Sequence, residues 1–213
     1  MTEDEARAWL RAQFSVPRET WDRLERYVAL LLHAAEEQNL IAESTKAHIW
    51  ARHIVDSAQL LLLAEEAGEG GWVDLGSGAG LPGMVIACLG ERSVLMVESR
   101  RKRIGFLEEV IGELDLRNAS VFGGRVEVVP PQAAAVISAR AYAPLPRLLE
   151  SAVHIGDKNT LWVLPKGRNA EIELETARPA WQGAFHVERS VTDVESAIIV
   201  ARGVEPVTRR ARA

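Results

Sequence analysis

Cysteine is almost missing from this chain: Cys88 stands alone among 213 residues. A lone cysteine closes no intrachain disulfide and supplies no thiolate cluster for a metal. Aromatic residues are few, at 6%, and no stacking motif of the RRM type is present. The five histidines, at positions 33, 48, 53, 154 and 186, are scattered without metal-ligand spacing. No metal is therefore expected. No apolar run approaches the roughly 20 residues of a membrane span. The acidic opening Met1-Thr2-Glu3-Asp4-Glu5 is the reverse of a secretory leader. A cytoplasmic protein without metal or membrane contact is the expectation.

Hydrophobic residues make up 47% and charged residues 26%, which is enough for a folded core. The net charge of −5 is unevenly spread. Residues 1–70 hold 7 Lys/Arg against 13 Asp/Glu, whereas residues 71–213 hold 18 against 17. A polyanion would have to meet a local basic patch rather than the whole surface.

Up to about Gly70 the apolar period is helical. Thr2 and Glu5 have capping-box spacing ahead of Ala6, Trp9 and Leu10. Trp21, Leu24, Val28, Leu31 and Ala35 mark a long amphipathic helix after Pro17, and a third helical region is predicted from Thr45 to Ala64. From Trp72 the character changes to short apolar strands alternating with helices. Strands are predicted at Trp72–Leu75, Val94–Glu98, Ala119–Phe122, Ala135–Ser138 and Leu161–Leu164, with a closing hairpin near Phe185–Val191 and Ala197–Ala201. Helices are predicted at Gly83–Leu89, Arg100–Leu114 and Leu145–Val153. This alternation implies a parallel sheet covered on both faces. The expected organisation is a helical extension over 1–70, an α/β domain over 71–207 and a basic tail over 208–213.

The segment Asp74-Leu75-Gly76-Ser77-Gly78-Ala79-Gly80-Leu81-Pro82-Gly83 carries the most information. A strand enters a glycine turn, where the backbone bends tightly and a nucleotide-like ligand can approach it. Two registers compete. Gly78, Gly80 and Gly83 fit the dinucleotide fingerprint of an NAD-linked oxidoreductase. Gly76, Gly78 and Gly80 fit the loop of class I S-adenosylmethionine (SAM) methyltransferases. Asp74, two residues before the first glycine, favours the second register. It is placed to hold the loop backbone or the cationic end of the cofactor. Glu98 ends the second strand, where a carboxylate accepts hydrogen bonds from ribose hydroxyls. A solvated strand-end acid is the plainer reading of Glu98.

With these residues the chain resembles the RsmG/GidB family of bacterial small-subunit rRNA guanine-N7 methyltransferases. The likeness is carried by Arg52-His53-Ile54-Val55-Asp56-Ser57 and by the glycine loop with its Leu81-Pro82-Gly83 ending. Arg103 to Leu107, Arg125-Val126-Glu127, Ser138-Ala139-Arg140-Ala141 and Pro165-Lys166-Gly167 follow in family order. The resemblance implies a Rossmann-like class I fold with a mostly parallel seven-stranded sheet and a helical N-terminal extension. It implies SAM as cofactor, contacted by Gly76, Leu81, Val126, Glu127 and Arg140, and 16S ribosomal RNA or the small ribosomal subunit as partner of a monomer. Asn39-Leu40-Ile41 departs from the Asn-Leu-Thr of many members.

Guanine N7 has an in-plane lone pair, so alignment and charge stabilisation matter more than a general base. Arg140, Lys166 and Arg52 are the candidates for positioning the substrate. Arg140 is placed to hold guanine O6 or a phosphate, with a fold-stabilising ion pair as the alternative. Lys166 is placed to reach a phosphate, or is a solvated lysine. Arg100-Arg101-Lys102-Arg103 is the densest basic run and the local candidate for RNA phosphates, or else a solvated helix face. Trp50 and Tyr142 are available to stack on a base, though tryptophans in helical stripes are mostly core. A non-catalytic ribosome-associated module is the remaining alternative.

Overall fold

The computed structural model describes residues 1–207; the basic tail expected at 208–213 lies outside them. Among the described residues, seven strands form one sheet in the order β3-β2-β1-β4-β5-β7-β6. They are β1 Trp72–Leu75, β2 Val94–Glu98, β3 Ala119–Gly123, β4 Val136–Ala139, β5 Leu161–Gly167, β6 Trp181–Arg189 and β7 Ala197–Pro206. The first five run parallel, and β7 inserts antiparallel between β5 and β6. The class I methyltransferase architecture expected from the sequence is thus present. The closing hairpin extends further at its outer end than its apolar pattern predicted, because only Trp181 and Val204 are buried there, among exposed or half-buried residues that break the alternation.

The helices are α1 Glu3–Gln13, α2 Arg18–Glu37, α3 Glu43–Lys46, α4 Asp56–Leu63, α5 Gly83–Leu89, α6 Arg101–Glu113, α7 Leu145–Ala152 and α8 Ala170–Ala177. Thr2 closes the expected capping box on Glu5. One sheet face is covered by the N-terminal helices together with α5 and α6. Leu10, Leu24, Tyr27, Leu31, Ile54 and Leu60 lie in one buried cluster with Met84, Ile86, Met96 and Leu107. The core therefore runs without a break across residue 70. The opposite face is covered by α7 and by α8, whose weak pattern gave no helix in the sequence. Each fully buried leucine of these clusters contributes roughly 1.5–3 kcal/mol.

The helix expected over Thr45–Ala64 is broken. Between α3 and α4 the chain forms a π-helical turn, Trp50–Val55. Its first amides lack the usual partners, and Glu3 supplies them: its two carboxylate oxygens accept from the Trp50 and Ala51 N–H groups, each at 3.0 Å. Trp50 is 2% exposed and stacks on Trp21 at 5.1 Å between centroids. It is core, so the base-stacking role open to it in the sequence is excluded. The turn brings Arg52, His53 and Asp56 to the carboxyl end of the sheet.

Candidate functional site

β1 delivers the chain into a loop whose three glycines have left-handed backbone, with φ of 64° at Gly76, 58° at Gly78 and 88° at Gly80. A side chain is strained at each. Asp74 lies beneath this loop with no exposed surface. Its Oδ2 accepts from the Gly83 amide at 3.2 Å and its Oδ1 from the Ser138 hydroxyl at 2.8 Å. Ser138 in turn receives the Trp72 indole N–H at 2.8 Å. The parallel register sets Asp74 directly beside Ser138. Burial pushes the Asp74 carboxyl up to about 6, against the opposing hydrogen bonds from Ser77, Ser138 and Gly83. Of the two roles open to Asp74, the geometry realises the hold on the loop backbone. Tyr27 adds a second anchor from α2, donating to the Ala79 carbonyl at 2.8 Å.

Glu98 reaches the loop from the end of β2. Its Oε2 accepts from the Gly78 amide at 3.0 Å, and its Oε1 accepts from Ser99 at 2.7 Å and Arg100 at 2.8 Å. It is 5% exposed, so the solvated-acid reading fails. Beside it opens a cleft of about 480 Å³, bordered by Gly76, Glu98, Val126, Glu127, Ala141 and Tyr142. A Cβ built on Gly78 would meet Arg103 Nη1 at 3.6 Å, an ordinary contact without a clash. A glycine turn next to a buried strand-end carboxylate suits a ribose-bearing cofactor. Val126 is 3% exposed beneath the cleft. Glu127 stands on its rim, bonded at 3.0 Å to Arg125, which holds its carboxyl below the ordinary range. Leu81 is buried in the core under the loop. Gly83, the last glycine of the dinucleotide register, is packed so that a Cβ would meet Met96 at 2.6 Å.

A second cleft of about 530 Å³ adjoins the first, and Ala141 and Tyr142 form a wall common to both. Ala141 is held at φ 53°, a strained conformation for a residue with a side chain. Arg140 lines this second cleft rather than the first. It donates to Asp56 Oδ2 at 3.3 Å and to His53 Nδ1 at 3.2 Å. A guanidinium only donates, so His53 Nδ1 accepts and its Nε2–H points to Thr45 Oγ1 at 2.8 Å. The Thr45 hydroxyl passes on to the Ala42 carbonyl at 2.7 Å. Burial, with Arg140 and Arg52 nearby, takes His53 down to about 3, so the ring is neutral. The ion pair open to Arg140 in the sequence is therefore present, with its donor fork aimed at the cleft wall.

Two expectations need correction. Lys166 is neither solvated nor free for phosphate: its side chain is 6% exposed, bonded to the Ala143 carbonyl at 2.7 Å and to Glu173 at 3.0 Å. Glu173 also accepts from the Leu145 amide at 2.7 Å, so the pair ties β5, α8 and the start of α7 together. Burial lowers the Lys166 ammonium from its ordinary value. Arg103 leaves the exposed basic run and turns inward, 3.7 Å from Glu98. Arg100, Arg101 and Lys102 remain exposed. Arg52 reaches the second cleft and pairs with Asp193 at 2.9 Å. Sequence reasoning missed Asp56, Thr192, Ser190 and Gln59. Asp56 sat inside the Arg52–Ser57 element and was legible there; the others are ordinary polar residues on distant segments and gave no signal.

The family described as rRNA small subunit methyltransferase G (GidB) matches residues 20–200 of the chain. The chain is similar to the ribosomal RNA small subunit methyltransferase G of Sphingopyxis alaskensis, at 50% identity over 98% of this chain and 89% of that protein. It is 51% identical to that of Rhizorhabdus wittichii, over 97% of this chain and 95% of the relative. Among solved structures, a SAM-dependent methyltransferase from Aquifex aeolicus aligns with a TM-score of 0.56 at 13% identity, covering 72% of this chain and 91% of that one. A mutant of MtNAS in complex with S-adenosylmethionine aligns with a TM-score of 0.59 at 16% identity, covering 85% of this chain and 74% of that one. These two likenesses carry the fold.

Proposed function

The chain belongs to the rRNA small subunit methyltransferase G family, and from that premise we propose that it methylates N7 of a guanine in 16S ribosomal RNA, at position 527 as the family resemblance implies. It is a SAM-dependent rRNA methyltransferase. The observation that carries the finer reading is the meeting of two clefts at Ala141 and Tyr142. One cleft offers the glycine turn at Gly76 and a buried carboxylate, and the other offers arginine donors.

SAM, when bound, supplies a methyl group activated on a sulfonium. The chain's part is to bind and to align. In this reading Glu98 and the loop backbone hold the ribose and methionine ends, and Val126 and Glu127 border the adenine. Asp74 and Leu81 act from beneath, by fixing the loop. Arg140, oriented by Asp56 and the neutral His53, presents its remaining donors to guanine O6 and leaves N7 free to attack. N7 has no proton to lose, so the site needs no general base. The acting species is a cytoplasmic monomer, working on naked 16S RNA or on the small subunit.

Labelled SAM, incubated with this protein and either deproteinised 16S RNA or small subunits lacking the modification, tests the reading. Label recovered as 7-methylguanosine from one of the two substrates is the expected result. Label at another atom, or on neither substrate, overturns it.

A further inference from the structure

The mouth of the second cleft carries two arginines that the free protein keeps engaged. Arg52 Nη1 lies 2.9 Å from Asp193 Oδ2, and Arg168 Nη2 lies 2.9 Å from Glu195 Oε2. Arg168 directly follows Gly167, and Glu195 directly precedes Ser196, both of which line the cleft. The two acids belong to one segment, the turn at 190–196 between β6 and β7.

The root and the tip of this turn are built differently. At the root, Gln59 of α4 accepts from the Val191 amide at 2.9 Å and donates to Ser190 Oγ at 3.1 Å. Thr192 Oγ1 donates to Asp56 Oδ1 at 3.0 Å. These contacts are buried or half-buried. The tip is open: Val194 is 89% exposed. The pairs made near the tip are open as well, with side chains 44% and 27% exposed for Arg52–Asp193 and 73% and 63% for Arg168–Glu195. Exposed pairs of this kind contribute only about 0–1 kcal/mol. Another anion can therefore replace the carboxylates at little cost while the root stays in place. A carboxylate and a phosphate offer an arginine the same paired acceptor oxygens.

We propose that Arg52 and Arg168 are RNA-phosphate sites flanking the guanine cleft, and that Asp193 and Glu195 occupy those places in the free protein until RNA phosphates displace them. The proposal rests on the rRNA-methyltransferase reading and extends it to backbone contacts. It also gives the acids a role. An RNA that fills the cleft gains enough contact to displace them, whereas an RNA that only meets the surface finds two neutralised arginines. Non-cognate polyanions are thereby disfavoured.

The test is binding of 16S RNA across a salt series by Asp193→Asn and Glu195→Gln, each alone and combined with Arg52→Ala or Arg168→Ala respectively. Asparagine at 193 keeps the Oδ1 acceptor for the Glu195 amide, now at 3.0 Å, so the turn is retained. Each acid substitution is expected to raise affinity about twofold to fivefold, the equivalent of an exposed pair. Each should also steepen the slope of log affinity against log salt by about 0.7–0.9, because the phosphate is then neutralised without freeing a carboxylate beside it. Both gains should vanish when the partner arginine is already alanine. Equal gains on both backgrounds would mean general charge repulsion, and no gain would mean that the arginines only fasten the turn; either result overturns the proposal. Methyl transfer by the unsubstituted protein, followed in parallel, keeps the two readings apart. If it methylates the RNA but the cycles show no coupling, only the phosphate sites fall.

Discussion

The two clefts share a wall and are built on opposite principles. The cleft proposed for the cofactor is made from backbone. Three left-handed glycines shape it, and two buried carboxylates, Asp74 and Glu98, hold it by accepting amide hydrogens. The cleft proposed for the substrate is made from side chains. Three segments meet there: Arg140 and Thr192 bond to Asp56, and Arg52 pairs with Asp193, through ion pairs and a hydroxyl bond. A backbone cradle suits a ligand that is always the same. A side-chain cleft with partly open ion pairs suits a large polyanion that must be admitted and released.

The sharpest way to break this comparison is at the glycines. At Gly80 a Cβ would meet Met84 Cγ at 2.5 Å, whereas at Gly78 its nearest neighbour would be Arg103 Nη1 at an ordinary 3.6 Å. Gly80→Val should therefore cost about 2–5 kcal/mol of folding stability, from overpacking and left-handed strain together. Gly78→Val should cost only the strain, about 1–2 kcal/mol, yet leave no measurable SAM binding by calorimetry. Unchanged SAM affinity in folded Gly78→Val would remove the loop from the cofactor site. Next in size is Asp74→Ala, which strands the Gly83 amide and the Ser138 hydroxyl in a dry interior. A loss of about 2–5 kcal/mol is expected in denaturant unfolding. A loss below about 1 kcal/mol, less than one stranded buried group costs, would show that the loop stands without its buried acid.

The difference in construction also explains what the sequence made legible. Glycines, Asp74 and Glu98 lie within one strand-loop-helix-strand unit, and local spacing reports them. Lys166 looked like a surface lysine because nothing nearby in the chain announces Glu173 or a helix at 170–177, whose pattern is weak. The π-helical turn escaped for a similar reason: Glu3, which satisfies its amides, lies 47 residues upstream of Trp50. The 190–196 turn joins the second cleft through tertiary contacts with Arg52, Asp56, Gln59 and Arg168. The family resemblance named Arg140 but not the direction in which it points.

Acid titration separates the clefts in another way. His53, on the substrate side, has a folded value of about 3 against 6.5, so the unfolded chain binds the extra proton in between. Its contribution is complete above pH 6.5 and is lost as pH falls toward 3. Asp74, on the cofactor side, has a folded value of about 6 against 3.8, so there the folded chain holds the extra proton. Its contribution is complete below pH 3.8 and is lost as pH rises through 6. Between about pH 4 and 6 the two slopes oppose each other, each approaching about 1.4 kcal/mol per unit. Asp74→Asn should leave stability rising with pH across that window, and His53→Gln should leave it falling. Unfolding free energies measured at several pH values check both signs; identical profiles for the two variants would contradict the assignment.

Glu98→Ala tests the cofactor side more gently. SAM affinity should weaken by about 1.5–3 kcal/mol, the range for hydrogen bonds to a charged group. Three backbone amides lose their acceptor as well, so Glu98→Gln belongs beside it, since glutamine keeps one carbonyl oxygen for them. Glutamine restoring stability but not affinity would assign the binding loss to the carboxylate itself. Equal affinity in all three proteins would leave Glu98 as a loop anchor only.

The smallest expected effect concerns the basic run, where the two modes of construction meet. Arg100, Arg101 and Lys102 are exposed, while Arg103 pairs with Glu98. Replacing the first three with alanine leaves the Ser99 and Arg100 amides on Glu98, because backbone donors survive a side-chain change. SAM affinity should therefore stay within error. RNA binding should weaken, with the slope of log affinity against log salt flattening by roughly 1–3 units according to how many of the three meet phosphates. Glu37 borders the same depression as these side chains, and its charge offsets part of theirs, which favours the lower end of that range. A salt series on the triple variant reads the number directly. An unchanged slope with intact methyl transfer would make the run a solvated helix face. It would shift the phosphate contacts wholly to the mouth of the second cleft, where Arg52 and Arg168 stand.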